Sequence, residues 1–202
     1  MMVRLLLADD QALIRSALAV MLGLEEDFEV VACVGRGDEV VAAAREHQAD
    51  VALLDIEMPG IDGLAAAGAL AHEVPDCRAL ILTTFGRPGY LRRAMESGAY
   101  GYIVKDAPAE QLADAIRRIV AGERVIDPAL AAATLASGAS PLTARERDVL
   151  VAARPGATVA EIAVKLFLSE GTVRNYLSAA ITKAGARNRA EAVRTADERG
   201  WL

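Results

Sequence analysis

The amino-acid sequence predicts two domains of different classes: a doubly wound α/β domain built on five parallel strands over residues 1–122, and a small all-α domain of four helices over residues 140–202. Three observations point there. Short apolar runs alternate with amphipathic stretches from Val3 to Gly122, as in a parallel sheet covered by helices on both faces. Several of those runs end in a carboxylate, a hydroxyl or an amine, side chains that belong where such sheets carry their chemistry. After Pro141 the apolar runs give way to helix-opening signals, and the charge changes sign.

Taken in order, the first strand is expected at 3–8 and runs into Asp9-Asp10. Leu13, Ala17, Val20, Met21 and Leu24 then recur at helical spacing. A second strand is expected at 28–34. The third, 51–55, is the apolar run Val51-Ala52-Leu53-Leu54 closed by Asp55, with a turn punctuated by Pro59, Gly60 and Gly63 behind it. The fourth, 79–84, ends in Thr83-Thr84, and the helix after it, around Pro88 to Ser97, has only a thin apolar stripe beside Arg92, Arg93 and Glu96. The fifth, 101–104, ends at Lys105, and Leu112, Ile116 and Ile119 give the last helix its apolar face. Residues 123–139, with Asp127-Pro128 and Ser137-Gly138-Ala139, are expected to be a linker with one short helix.

In the C-terminal domain Thr143 stands three residues before Glu146, a capping box, and Arg154-Pro155-Gly156 stops the helix it opens. Thr158 and Glu161 repeat the box. Ser169 caps a third helix whose Val173, Leu177 and Ile181 form one stripe, and a fourth runs from Arg189 to about Arg199 before Gly200-Trp201-Leu202. The tight Phe167-Leu168-Ser169 connection makes the second and third helices a helix-turn-helix, with Thr172, Arg174, Asn175, Ser178 and Lys183 left on other faces. A plain helical bundle with a solvated face would show the same pattern.

A lone Asp after an apolar run is ordinarily a strand end or turn initiator. If the strands are parallel in one sheet, however, their carboxyl ends bring Asp9, Asp10, Asp55, Thr83 and Lys105 together. Three carboxylates that close cannot all stay ionised without a cation, and a hard divalent ion such as Mg²⁺ suits oxygen donors.

Composition bounds the rest. The 202 residues are 53% apolar and carry a net charge of −6. Residues 1–139 hold 21 acidic and 12 basic side chains, whereas residues 140–202 hold 7 acidic and 10 basic, which suggests a polyanionic partner for the second domain. Cys33, Cys77, His47 and His72 are isolated and lack metal-site spacing. No run approaches the length of a membrane span and no signal peptide is visible, so the expected location is cytoplasmic, with no direct membrane insertion.

With these residues in hand the chain resembles two-component response regulators of the NarL/FixJ family, a flavodoxin-like receiver followed by a LuxR-type helix-turn-helix. The receiver pattern is matched by Asp9-Asp10, Asp55 with Met58-Pro59-Gly60 and Asp62-Gly63, Thr83, Tyr102 and Lys105. The output pattern is matched by Leu142-Thr143, Arg145-Glu146, Glu161-Ile162-Ala163, Leu168-Ser169, Thr172-Val173-Arg174 and Gly200-Trp201-Leu202. The resemblance implies that Asp55 accepts a phosphoryl group from a sensor histidine kinase. It implies Mg²⁺ on the Asp10 and Asp55 side chains and the Glu57 carbonyl, with Asp9 holding metal-bound water. Lys105 would pair with the phosphoryl oxygens, Thr83 would move towards them, and Tyr102 would rotate inward. Phosphorylation would then favour a homodimer that binds double-stranded promoter DNA; the pairing face is expected on the first and fifth helices, where Leu13, Ala17 and the Leu112 to Ile119 stripe offer apolar area. Arg174, Asn175 and Ser178 would reach bases, and Thr143, Ser169, Thr172 and Lys183 would reach phosphates. Lys105 is the only lysine before position 140.

Two departures stand out: Asp106, not proline, follows Lys105, and Thr84 stands where many receivers have alanine. The stretches Thr83-Thr84-Phe85-Gly86-Arg87-Pro88-Gly89-Tyr90 and Thr172-Val173-Arg174-Asn175-Tyr176 look most like regulators of membrane-lipid desaturase genes. Two other functions compete. A haloacid-dehalogenase-like phosphatase also uses an Asp with Mg²⁺, but needs a second Asp two residues on, where this chain has Glu57. A DNA-binding regulator switched by a ligand or partner, with a degenerate acidic cluster, is the other.

Overall fold

The computed structural model describes residues 2–84, 88–137, 140–154 and 156–202. They form two compact units, and the later boundary between them falls between Ala131 and Ala132. In the first unit, strands β1 (Val3–Ala8), β2 (Phe28–Val34), β3 (Val51–Asp55), β4 (Arg78–Thr83), β5 (Gly101–Val104) and β6 (Val125–Ile126) form one parallel sheet in the order β2-β1-β3-β4-β5-β6. Helices α1 (Ala12–Leu22), α2 (Val40–Glu46), α3 (Gly63–Glu73), α4 (Pro88–Glu96) and α5 (Ala109–Val120) follow the strands in turn. β3 is buried along its whole length, which is why it reads as an unbroken apolar run rather than an alternation.

The sheet has six strands where five were expected. β6 lies in the stretch expected to be linker and pairs Val125 with Gly101 and Ile126 with Tyr102. Two residues are too few to show a period, and only the neighbouring edge of β5 makes them a strand. Helix α6 (Pro128–Ser137) follows at the expected short helix.

One face of the core is filled by Leu5, Leu7, Leu53, Leu80, Leu82 and Ile103 together with Leu112, Ile116 and Ile119 of α5. On α1 it is Leu18, Ala19, Met21 and Leu22 that pack inward. Leu13 and Val20 are 83% and 70% exposed, and Leu24 just beyond is 80% exposed. The helical spacing of those residues is therefore real, but most of them line the solvent side. The fifth helix is the opposite case: its stripe of Leu112, Ile116 and Ile119 is core, so those side chains are not open to a second chain.

In the second unit α7 (Ala144–Ala153), α8 (Val159–Leu166), α9 (Glu170–Ala184) and α10 (Arg189–Glu198) enclose a core of Val149, Leu150, Ile162, Val173, Leu177 and Trp201, among others. Both capping boxes are formed: Thr143 with Glu146, and Thr158 with Glu161. Ser169 accepts from the Thr172 amide as N-cap of α9, and Asn188 does the same from Glu191 for α10. The inward face of α9 is Val173, Leu177, Ala180 and Ala184, with Ile181 at its margin. Gly156, beyond the end of α7, takes the left-handed φ of +81°. Pro155 of the predicted helix stop, Gly138-Ala139 of the predicted linker, and Phe85-Gly86-Arg87 of the subgroup resemblance lie outside the described residues. No described helix is long and apolar enough to cross a membrane.

Candidate functional site

Parallel pairing fixes where the strand ends meet. Leu7 is level with Leu53, Asp55 with Leu82, and Thr83 with Val104, so one edge of the sheet collects Asp9, Asp55, Thr83 and Lys105. Asp9, Asp55 and Thr83 are buried there, at 2%, 6% and 6% exposure, while Asp10 stays exposed. The Lys105 ammonium sits 2.7 Å from the Asp9 carboxylate and 3.0 Å from that of Asp55. Asp9, Asp10 and Asp55 each offer an oxygen within 4.8 Å of the other two. The Lys105 amide donates to the Thr83 carbonyl at 2.7 Å, which holds the β4 and β5 ends together.

The electrostatics follow from that crowding. Burial pushes the Asp55 carboxyl above its ordinary range, opposed by the Lys105 hydrogen bond and charge and reinforced by the neighbouring Asp9. Burial alone would lower the Lys105 pKa, but its hydrogen bonds to Asp9 and Asp55 win and raise it. Lys105 is thus held as a cation between two anions. One ammonium against three carboxylates leaves an excess of negative charge, and the donors are all hard oxygens, so a divalent cation fits the site.

Local backbone explains how Asp55 is presented. Its Oδ1 accepts from the Ile56 amide at 2.9 Å, and the chain turns at once through the loop to Asp62, which caps α3 by accepting from Ala65 at 2.7 Å. The start of α3 presses on the strand end so closely that a Cβ on Gly63 would lie 1.9 Å from the Asp55 carbonyl oxygen. Only a glycine permits that approach. Glu57 is exposed on this loop, and Tyr102 is fully buried within β5, already turned inward. The peptide bonds described are trans, that between Lys105 and Asp106 included.

In the second unit Arg174, Asn175 and Ser178 share the exposed side of α9, opposite Val173 and Leu177. Ser169 Oγ and Thr172 Oγ1 lie 2.8 Å apart at the start of the helix, and Thr143 caps α7. Lys183 departs from expectation. Its ammonium bonds both oxygens of the buried Glu146, at 2.9 and 2.7 Å, so it ties α9 to the capping box of α7 rather than standing free for a phosphate. Burial raises the Glu146 pKa, but Lys183 and the Thr143 hydrogen bonds outweigh it and hold the carboxyl below the usual value of 4.5.

Two participants were missed. Arg15 of α1 donates to the Asp9 backbone carbonyl and stands beside the acidic cluster, and nothing in the sequence distinguishes it from a surface arginine. Glu170 pairs with Arg174 at 2.6 Å. Its i,i+4 spacing was visible, and the pair means that Arg174 must exchange one partner for another to reach a base.

Comparison with known proteins matches this geometry. The model of the response regulator receiver domain family matches residues 5–117, and that of the luxR family of bacterial regulatory proteins matches residues 140–196. The chain is 44% identical over 201 residues to the uncharacterized transcriptional regulatory protein YvfU of Bacillus subtilis (strain 168), covering 100% of each chain. It is equally similar, with the same coverage, to the transcriptional regulatory protein DesR of that organism. Among solved structures, the response regulator ChrA of a heme-sensing two-component system is 33% identical, with a TM-score of 0.60, over 100% of this chain and 99% of that one. The RcsB–DNA complex, at 21% identity and a TM-score of 0.69, shares the fold. The chain belongs to the response regulators, a family of transcription regulators rather than enzymes, in which a receiver domain is followed by a LuxR-type DNA-binding domain.

Proposed function

We propose that Asp55 is the phosphoryl acceptor of this regulator, that Mg²⁺ assists the transfer, and that phosphorylation drives pairing of two chains on promoter DNA. The observation that carries this reading is the Lys105 ammonium held at 2.7 and 3.0 Å between Asp9 and Asp55, with Asp10 completing the acidic cluster. A cation fixed there faces the charge that develops on a transferring phosphoryl group without having to reorganise. The donor is a phosphohistidine of a sensor kinase: an Asp55 oxygen forms the new O–P bond as the N–P bond breaks, and the imidazole leaves. The Asp10 and Asp55 carboxylates and the Glu57 backbone carbonyl would hold Mg²⁺, with Asp9 placed for a metal-bound water. The ion would supply further neutralisation of the phosphoryl oxygens.

Once phosphorylated, Asp55 no longer accepts from Lys105 in the same way, and Lys105 and the Thr83 hydroxyl turn to the new oxygens, biasing the loops that carry them. We place the pairing surface on α1, where Leu13, Ala17 and Val20 form an exposed apolar stripe that Leu24 continues just beyond the helix. α9 then enters the major groove, with Arg174, Asn175 and Ser178 at base edges and Thr143, Ser169 and Thr172 at phosphates. A desaturase-gene regulon rests on the stretches quoted above alone.

The test is mass spectrometry of the full chain after treatment with acetyl phosphate. One added phosphate is expected, absent in Asp55→Ala and in the presence of EDTA. Labelling that persists in the alanine variant removes Asp55 as acceptor. A wild-type chain that takes no label yet binds its promoter with a ligand or partner favours the ligand-switched alternative.

A further inference from the structure

Phe167 is the most exposed large apolar side chain among the described residues, at 95%. Its backbone is also left-handed, with φ +55° and ψ +45°, where it closes α8: its own N–H donates to the Val164 carbonyl and the Leu168 N–H to that of Ala163. That conformation is unfavourable for a side chain bearing a Cβ, and glycine or asparagine would close the helix without it. The folded unit therefore gains no burial from the ring and bears backbone strain at the same position. Neither feature is explained by the C-terminal core.

The surroundings identify what would cover the ring. Val164, one turn earlier on α8, is 78% exposed. Lys165 is exposed and makes no ion pair among the described residues. Two residues beyond Phe167, Ser169 opens α9, with its hydroxyl 2.8 Å from that of Thr172 at the positive end of the helix dipole. Two apolar side chains are far too little area for a protein partner, which needs about 800 Å² on each side. Flanked by a cation and by phosphate-seeking hydroxyls, they match a single nucleotide of DNA backbone, whose apolar deoxyribose edge lies between two phosphates. The patch is continuous with the helix that enters the groove.

We infer that Phe167, supported by Val164, packs against a deoxyribose of the DNA strand whose phosphates face Ser169 and Lys165. It anchors the start of α9 without reading sequence. This rests on the docking of α9 in the major groove proposed above. The contact removes apolar surface from water and changes no charge, so its loss weakens specific and non-specific binding alike and leaves the salt dependence intact.

The experiment uses the full-length chain and a duplex enriched by the wild-type protein from a random-sequence pool, with a scrambled duplex as comparison. Phe167→Gly and Phe167→Asn remove the ring and suit the left-handed backbone, so both should fold with an unchanged or higher denaturation midpoint. Each should bind both duplexes roughly ten-fold more weakly, with an unaltered salt slope. Unchanged affinity in the folded variants overturns the inference. So does unchanged affinity accompanied by lost transcription with purified RNA polymerase, which would assign the ring to the polymerase, or by a lost dimer in sedimentation. Arg174→Ala, measured beside them, separates the two claims: if it alters base preference while the Phe167 variants bind normally, only the Phe167 contact fails. If it too has no effect, the docking of α9 fails.

Discussion

Replacing Lys183 with methionine tests the tie between α9 and α7. Lys183→Met keeps the unbranched stem and the helix propensity, but leaves the Glu146 carboxylate, 7% exposed, with only its Thr143 contact. Breaking a fully buried pair by removing one partner costs about 3–5 kcal/mol. The Lys183 side chain is 36% exposed, so water reaches the pair and the expected loss scales down to about 1–3 kcal/mol. Trp201, the only tryptophan, is buried in the C-terminal core, so its fluorescence follows this unit during urea titration of the full chain. With a slope near 1 kcal/mol per M for so small a unit, the midpoint should fall by roughly 1–3 M.

Acid gives a second readout. A carboxyl whose pKa is depressed on folding contributes stability that is fully present above its unfolded value, near 4.5 for Glu146, and is lost as pH falls through the lower folded value. Without Lys183 the burial that raises this pKa meets only the Thr143 hydrogen bonds, so the contribution shrinks or changes sign. The variant's deficit should therefore narrow as pH falls below about 4.5. An unchanged midpoint at neutral pH, or a deficit that widens in acid, refutes the reasoning. The salt slope of DNA binding should not change; a fall of about one would return Lys183 to a phosphate.

Leu13→Asp combined with Val20→Asp alters side chains 83% and 70% exposed, so stability should move by less than about 0.5 kcal/mol per site, while the dimer expected in sedimentation when beryllofluoride stands in for the phosphoryl group should not form. A dimer that survives would place the interface elsewhere. Arg174→Ala should relax preference at one base position by about 1–3 kcal/mol, read by binding to single-base variants of the enriched duplex, because the Glu170 pair it also removes is exposed. Retained preference would mean that another residue reads that base. Gly63→Ala must displace the Asp55 loop, since the added Cβ would lie 1.9 Å from the Asp55 carbonyl oxygen. It should cost about 1–3 kcal/mol and slow labelling by acetyl phosphate, whereas wild-type melting would show that the close approach relaxes freely.

The order of elements, the strand ends and the caps were readable from the sequence because each is set by local chemistry. A run such as Val51 to Leu54 buries itself whichever neighbours it acquires, and Thr143, Thr158 and Ser169 find their amide partners within one helical turn. Given a parallel sheet, the meeting of Asp9, Asp55, Thr83 and Lys105 followed from topology alone. What the sequence left open depended on partners far along the chain. Periodicity finds the apolar positions of α1 but not which side meets the sheet, and the packing of Leu18 and Leu22 turns Leu13 and Val20 to solvent. Val125-Ile126 becomes a strand only because β5 leaves an open edge beside it. Lys183 and Glu146 are 37 residues apart, so neither one's pattern reveals that the ammonium is held by a buried carboxylate instead of awaiting DNA. Local hydrogen bonds and burial preference are written in neighbouring residues, whereas facing, edges and long-range ion pairs exist only once the chain has packed.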